Sequence, residues 1–260
     1  MTTSTVGSAD GSTDASTQGS TQGSTQGSTL GTVLVTGGAS GLGAAVARAV
    51  AEEGGRPLVL DRRRPEPEVL ELPDSDVGIV DLADSRAAEQ AVRDLVDEAG
   101  GVDAVVTCAG TDACGRFDEI DGPDWDRVLQ VNLLGTAAVV RAAMPSLLER
   151  GGRVVTVAST LGLRVLSDAT AYCASKFGVI GFSRALAVET QGRLGVTTLV
   201  PGGMQTAFFD GRPDQYKPGP DAKLNRPEDV AAAVVFALRQ PRGCEVRELV
   251  ITPSVEGSWP

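Results

Sequence analysis

The chain of 260 residues contains no histidine. Ser-His-Asp and Cys-His nucleophile systems are therefore excluded, because their base is missing. Its four cysteines (Cys108, Cys114, Cys173 and Cys244) include no CxxC pair, which with the absent histidine argues against a zinc site. Acid/base chemistry falls to carboxylates, lysine, tyrosine or a cofactor. The net charge of −11 argues against a broad basic surface for nucleic acid. No stretch approaches the roughly 18 unbroken apolar residues of a membrane span. Large apolar side chains are almost absent from residues 1–30, where STQG recurs three times between Ser16 and Gly27. Such a segment buries too little to offset its ordering entropy and is expected to be a disordered tail. It carries no Lys, Arg or apolar run, so it reads neither as a secretory signal nor as a transit peptide. The expectation is a soluble, cytoplasmic protein with no metal, membrane or nucleic-acid partner.

From Thr32 onward, short β-branched runs alternate with helical patterns. Strands are predicted at Thr32–Thr36, Pro57–Asp61, Val77–Leu82, Val102–Thr107, Arg153–Ser159, Gly195–Val200 and Val246–Thr252. Helices are predicted after Gly41, where Leu42, Ala45, Val46, Ala49 and Val50 share a face, and over Ser85–Ala99, Trp125–Glu149, Ala171–Gln191 and Glu228–Arg239. Alternation of this kind means an α/β fold: a doubly wound parallel sheet of seven strands with helices on both faces, in one domain over residues 31–260.

Ligands of such sheets bind beyond the carboxyl ends of the strands. The first strand is followed by TGGASGLG, Thr36 to Gly43. Glycines at 37, 41 and 43 let backbone approach a pyrophosphate, and the next helix N-terminus attracts its charge. Asp61 ends the second strand, where its carboxylate can accept from both hydroxyls of an adenosine ribose and repel a 2′-phosphate. Arg62, Arg63 and Arg64 follow in a Pro-rich loop and are the counter-argument; the turn itself carries no Lys or Arg. In YCASK, one of only two tyrosines precedes Lys176 by four residues. On a helix Tyr172 and Lys176 share a face, and an ammonium beside a phenol favours the phenolate. That predicts a tyrosine able to exchange protons near neutrality.

Taken in order, TGGASGLG, Asp81-Leu82, Asn132 in QVNLLG, Ser159, YCASK and PGGMQT resemble the short-chain dehydrogenase/reductase family in its single-domain, Rossmann-type form. The resemblance runs from about Gly31 to Pro253. It implies that Tyr172 exchanges a proton with the substrate oxygen, that Lys176 lowers the tyrosine pKa and holds the nicotinamide ribose, and that Ser159 binds the reacting carbonyl or hydroxyl. Asn132 would hold a water linking Lys176 to solvent. The cofactor set it implies comprises Gly37, Ser40, Gly41, Leu42, Gly43, Asp61 and Arg62 at the adenosine and phosphate end. Asp81 and Leu82 would flank the adenine, Asp81 also being able to cap a helix, while Cys108, Ala109 and Gly110 would lie behind the cofactor. Pro201, Gly202 and Thr206 would support the nicotinamide end. The expected cofactor is NAD and the expected reaction interconverts a secondary alcohol and a ketone or aldehyde. A non-catalytic dinucleotide sensor or scaffold and an epimerase or dehydratase relative are the alternatives. The sequence departs from the family at Cys108-Ala109-Gly110, where Asn-Ala-Gly is usual, and in lacking its Gly-rich C-terminal strand. A substrate loop is expected over about residues 202–226, with Phe208, Phe209, Arg212, Tyr216 and Lys217 as contacts. Relatives pair their two long apolar helices across subunits, so a homodimer or homotetramer is expected.

Overall fold

A computed structural model describes residues 30–257. The predicted tail therefore lies, but for Leu30, outside the described residues. Seven strands form one parallel sheet: β1 (Thr32–Thr36), β2 (Arg56–Asp61), β3 (Val77–Ile79), β4 (Ala104–Thr107), β5 (Arg153–Val157), β6 (Gly195–Pro201) and β7 (Glu248–Ile251). Their order is β3-β2-β1-β4-β5-β6-β7. Strand order reverses between β1 and β4, so the chain leaves these two strands in opposite directions and opens a crevice at their carboxyl ends.

Side-chain alternation along the strands divides the core in two. Val33, Val35, Val106, Val155 and Leu199 face α1 (Gly41–Glu52) and α6 (Pro227–Leu238), meeting Val46, Val50, Val230 and Val234. Leu34, Leu58, Leu60, Val105, Val154 and Val196 face α2 (Ser85–Ala99), α4 (Thr136–Arg150) and α5 (Thr170–Glu189), meeting Val92, Val139, Leu147 and Leu186. The fold is thus the Rossmann-type α/β architecture expected. Buried on both faces, the central strands have no polar side; Val and Leu predominate, with Thr36, Thr107, Thr156, Thr197 and Thr198 buried among them.

Three elements differ from the sequence reading. β3 stops at Ile79: the Val80 N–H still donates to the Asp61 carbonyl at 2.8 Å, but Asp81 then starts a turn in which the Asp84 N–H reaches the Asp81 carbonyl at 3.1 Å. The α2 cap is Asp84, whose carboxylate accepts from the Arg86 and Ala87 N–H groups, and not Asp81. Third, the helix predicted over Trp125–Glu149 is composite. It begins as α3 (Gly122–Leu129), widens into a π-helical turn over Gln130–Gly135 and continues as α4. By length and composition this 29-residue stretch passes as a membrane span, yet half of its apolar window is buried within the domain, where α4 packs on α2.

The π-helical turn is held open by a close approach. A Cβ on Gly135 would lie 2.8 Å from the Leu82 Cβ and 2.9 Å from the Leu82 carbonyl oxygen. Neither the backbone nor a buried Leu82 can retreat. Gly135→Ala should therefore destabilise the domain by roughly 1–3 kcal/mol, and a melting curve with an unchanged midpoint would refute this packing.

Candidate active site

The glycine turn is bound to its neighbours at every step. Gly37 takes φ +72° and its N–H donates to the Leu60 carbonyl at 2.9 Å. A Cβ there would sit 2.8 Å from the Ala109 Cα, so the turn requires glycine. Ser40, exposed, is the N-cap residue of α1 and makes no side-chain cap bond; Gly41, Leu42 and Gly43 form the first turn. No acidic residue occupies that turn. The positive end of α1 and its backbone N–H groups thus face the crevice, the arrangement that accepts a phosphate. Asp61 is tied to this turn. Its Oδ2 accepts from the Ala39 N–H at 3.0 Å and its Oδ1 from the Arg63 N–H at 3.2 Å, leaving further lone pairs on both oxygens. Arg64 pairs with Asp74 at 3.0 Å, and Arg62 adds a minor favourable charge near Asp81.

Asp81 is exposed. Its Oδ1 accepts from the Ala83 N–H at 2.9 Å and its Oδ2 pairs with Arg127 of α3 at 2.7 Å; the backbone bond is the larger cause of its lowered pKa. Leu82 is buried in the core beside Gly135, so its side chain belongs to packing. After β4, the Ala109 N–H donates to Thr36 Oγ1 at 3.1 Å, which ties the Cys108-Ala109-Gly110 segment to β1 without the asparagine usual there. Burial pushes the Cys108 thiol up to about 12, so it stays neutral. Pro201 and Gly202 are buried at the end of β6. Thr206 Oγ1 accepts from the Phe208 N–H at 3.3 Å, placing the start of the loop after β6 opposite Gly41.

The other wall comes from β5, α5 and the π-helical turn. Asn132 is fully buried: Oδ1 accepts from the Thr111 N–H at 2.8 Å, and Nδ2 donates to the Thr111 carbonyl at 2.9 Å and to Ser175 Oγ at 3.0 Å. Ser159 caps the 3₁₀ turn Thr160–Gly162 by accepting from the Leu161 N–H at 3.1 Å, and its hydroxyl lies near enough to Tyr172 to favour the phenolate. Lys176 Nζ donates to the Val157 carbonyl at 2.9 Å and lies 5.6 Å from the Tyr172 ring centroid. Ser159, Tyr172, Lys176 and Asn132 are thus brought together at one edge.

Their electrostatics correct the sequence reading. Burial pushes the Tyr172 phenol up to about 12, against the opposing pull of the nearby Ser159 hydroxyl. Burial brings the Lys176 ammonium down to about 8, although Asp112 favours its charge. Sharing a helix face was expected to lower the phenol. Here the ammonium sits over the ring and is bonded to a carbonyl, so desolvation outweighs its attraction.

Two neighbours escaped the sequence reading. Asp112 and Cys114 follow the Cys108-Ala109-Gly110 segment. Asp112 Oδ2 pairs with Arg212 at 2.6 Å and accepts from the Cys114 thiol at 3.2 Å. Phe208 of the loop packs on Tyr172 with ring centroids 5.8 Å apart. Among the described residues no cluster of His, Cys, Asp and Glu could hold a metal.

A sequence model described as short chain dehydrogenase matches residues 31–217, most of the chain. The chain belongs to the short-chain dehydrogenase family. It is 35% identical over 227 residues to glycine betaine reductase ATRR of Emericella nidulans, covering 82% of this chain but only 18% of that longer protein. It is 30% identical over 217 residues to an uncharacterized oxidoreductase of Staphylococcus aureus strain MW2, covering 81% of this chain and 92% of the relative. Among solved structures, ligand-free aldohexose dehydrogenase of Thermoplasma acidophilum superposes with a TM-score of 0.74 at 22% identity, over 85% of this chain and 92% of that one. An alcohol dehydrogenase of Thermococcus sibiricus complexed with 5-hydroxy-NADP gives 0.73 at 25% identity, over 84% and 94%. This member of the family is an oxidoreductase.

The family site makes a spectroscopic prediction that the small lysine count renders accessible. Only Lys176, Lys217 and Lys223 are present, so ε-carbon NMR signals of labelled lysine resolve individually. The Lys176 signal should titrate near pH 8, the value to which burial brings it. A Lys176 signal that does not titrate until above pH ~10 would refute the burial of this ammonium.

Proposed function

We propose that the protein is an NAD-dependent oxidoreductase that interconverts a secondary alcohol and a ketone or aldehyde, acting on CH–OH donors. The observation that carries this reading is the gathering of Tyr172 and buried Lys176, whose Nζ lies 5.6 Å from the phenol ring centroid, beside Ser159 and Asn132 at the sheet edge that also bears the glycine turn. A sensor or scaffold needs only the turn and Asp61. An epimerase or dehydratase relative needs a larger substrate domain.

The residues fit a nicotinamide dinucleotide. Gly37, Ser40, Gly41, Leu42 and Gly43 bring backbone N–H groups and the α1 dipole to the pyrophosphate. Asp61 accepts from the adenosine ribose hydroxyls, and Arg62, Asp81 and the Leu82 backbone border the adenine. Cys108, Ala109 and Gly110 form the floor, while Pro201, Gly202 and Thr206 border the nicotinamide. When bound, this group supplies or accepts the hydride. Ser159 donates to the substrate oxygen and orients it. Tyr172 gives its proton to that oxygen during reduction and recovers it during oxidation, with its neutral form favoured by burial. Lys176 holds the nicotinamide ribose and receives the proton drawn through the site; Asn132 holds the Thr111 and Ser175 ends of that wall in register and positions a water leading from Lys176 to solvent.

The active unit we infer is a homodimer or homotetramer in the cytoplasm. Leu134, Phe177 and Val188 leave large apolar surface exposed on the π-helical turn and α5, the kind of patch that a second subunit covers.

Tyr172→Phe keeps the ring packed on Phe208 and removes only the hydroxyl, so turnover should fall by roughly 10² or more with NADH affinity retained. Turnover within a few-fold of the parent would sink the role given to Tyr172. NAD should exceed NADP in catalytic efficiency by at least about tenfold, because a 2′-phosphate meets the fixed Asp61 carboxylate, and tenfold needs only ~1.4 kcal/mol. Steady-state kinetics with both cofactors checks this, and an NADP preference in the parent would overturn the role of Asp61.

A further inference from the structure

Between Thr206 and Leu224 the segment joining β6 to α6 is largely exposed and short of apolar anchors. Its two ends are fastened to each other: the Gln205 N–H donates to the Asn225 carbonyl and the Asn225 N–H to the Gly203 carbonyl, both at 2.9 Å. Its middle meets the body of the domain at Phe208, which packs on Tyr172, and at the ion pair between Arg212 and Asp112 at 2.6 Å. The guanidinium of Arg212 also lies over both phenyl rings, 5.1 Å from Phe208 and 4.6 Å from Phe209, and donates to the Tyr216 carbonyl at 3.3 Å. One arginine thus gathers the loop's two phenyl rings and a carbonyl onto a single carboxylate.

That carboxylate is a fixed post. Asp112 is almost fully buried, accepts from the Ala113 N–H at 2.8 Å and follows Thr111, whose N–H and carbonyl are both held by Asn132. The same strand-end segment is fastened again at Gly115, whose N–H donates to the Asp168 carbonyl at 2.9 Å, and Asp168 takes the left-handed φ of 62° that few non-glycine residues adopt. The moving part is less secure. Arg212 Nε is buried with no hydrogen-bond partner, a cost that water relieves when the loop lifts. A buried ion pair on a rigid post, offset by an unpaired buried donor, holds a loop without locking it.

We propose that Asp112 and Arg212 form a releasable latch that holds the 202–226 loop closed with Phe208 seated on Tyr172. Both are positioning residues, and the proposal rests on reading Tyr172 as the group that exchanges the proton. Substrate enters when the pair separates, and the re-formed pair packs Phe208 against the phenol and dries the space above it.

Limited trypsin digestion tests the latch without turnover, because Lys223 lies in the loop, is exposed and is followed by Leu224, whereas Lys217 precedes Pro218 and is not cut. Asp112→Asn and Arg212→Gln should each speed cleavage at Lys223 by at least about fivefold. The double variant should be no faster than the quicker single one, since both remove the same contact. Arg212→Lys, which keeps the charge, should fall between parent and Arg212→Gln. Cleavage at Arg86 and Arg93 of α2 should not change. Rates within twofold of the parent in either single variant, multiplied effects in the double variant, or a rise shared with the α2 sites would each overturn the latch. With a turned-over ketone, both single variants should raise KM by at least about fivefold, change kcat less and leave NADH affinity intact. If no ketone or alcohol is turned over by the parent, the oxidoreductase reading of Tyr172 fails, while the digestion rates still decide the latch.

Discussion

Asn132 has no exposed surface, and its amide bonds the Thr111 N–H, the Thr111 carbonyl and the Ser175 hydroxyl. Three elements that are remote in sequence meet at that one side chain: the segment after β4, the π-helical turn and α5. A buried amide with both its N–H groups and its oxygen engaged has one orientation, so it fixes the wall on which Ser159, Tyr172 and Lys176 stand. The π-helical turn that carries it exists because Gly135 lets the helix press against Leu82. A glycine and an asparagine three residues apart thus set the register of the site: one makes room for the widened turn and the other uses it.

The charges around the phenol follow from the same enclosure. Burial drives Tyr172 toward its neutral form and Lys176 toward deprotonation, with the Val157 carbonyl, Asp112 and Cys108 near the ammonium. Asp112 and Arg212 act on Tyr172 in opposite directions, so their pairing leaves little net field on the ring. The opposite side of the crevice is built differently. There the backbone N–H groups of the glycine turn and the Asp61 carboxylate face solvent-accessible space, and Asp61 is aimed by its bonds to Ala39 and Arg63.

The sequence made the architecture legible because parallel strands buried on both faces leave unbroken β-branched runs, and the amphipathic helices between them repeat at 3.6 residues. Residues whose roles depend on a local motif were legible too: the glycine turn, Asp61 at a strand end, and Tyr172 one helical turn before Lys176. What depends on distant contacts was not. Nothing beside Asp112 marks it as the partner of Arg212, one hundred residues onward. Leu82 reads as a strand-end residue, yet the turn at Asp81 directs it into the core. The competition between Asp81 and Asp84 for the α2 cap is settled by the turn as well. Proximity of Tyr172 and Lys176 was readable, but the sign of the phenol's shift was not, because it is set by how much protein surrounds the pair.

The central claim is that one edge of the sheet holds both a nicotinamide dinucleotide and the Tyr172–Lys176 pair. Titrating NADH into protein labelled at the lysine ε-carbons tests it in a single series of spectra. The account predicts a saturable shift of the Lys176 signal, absent with AMP, whose adenosine stops short of that end of the crevice. A Lys176 signal that stays in place at saturating NADH would contradict it.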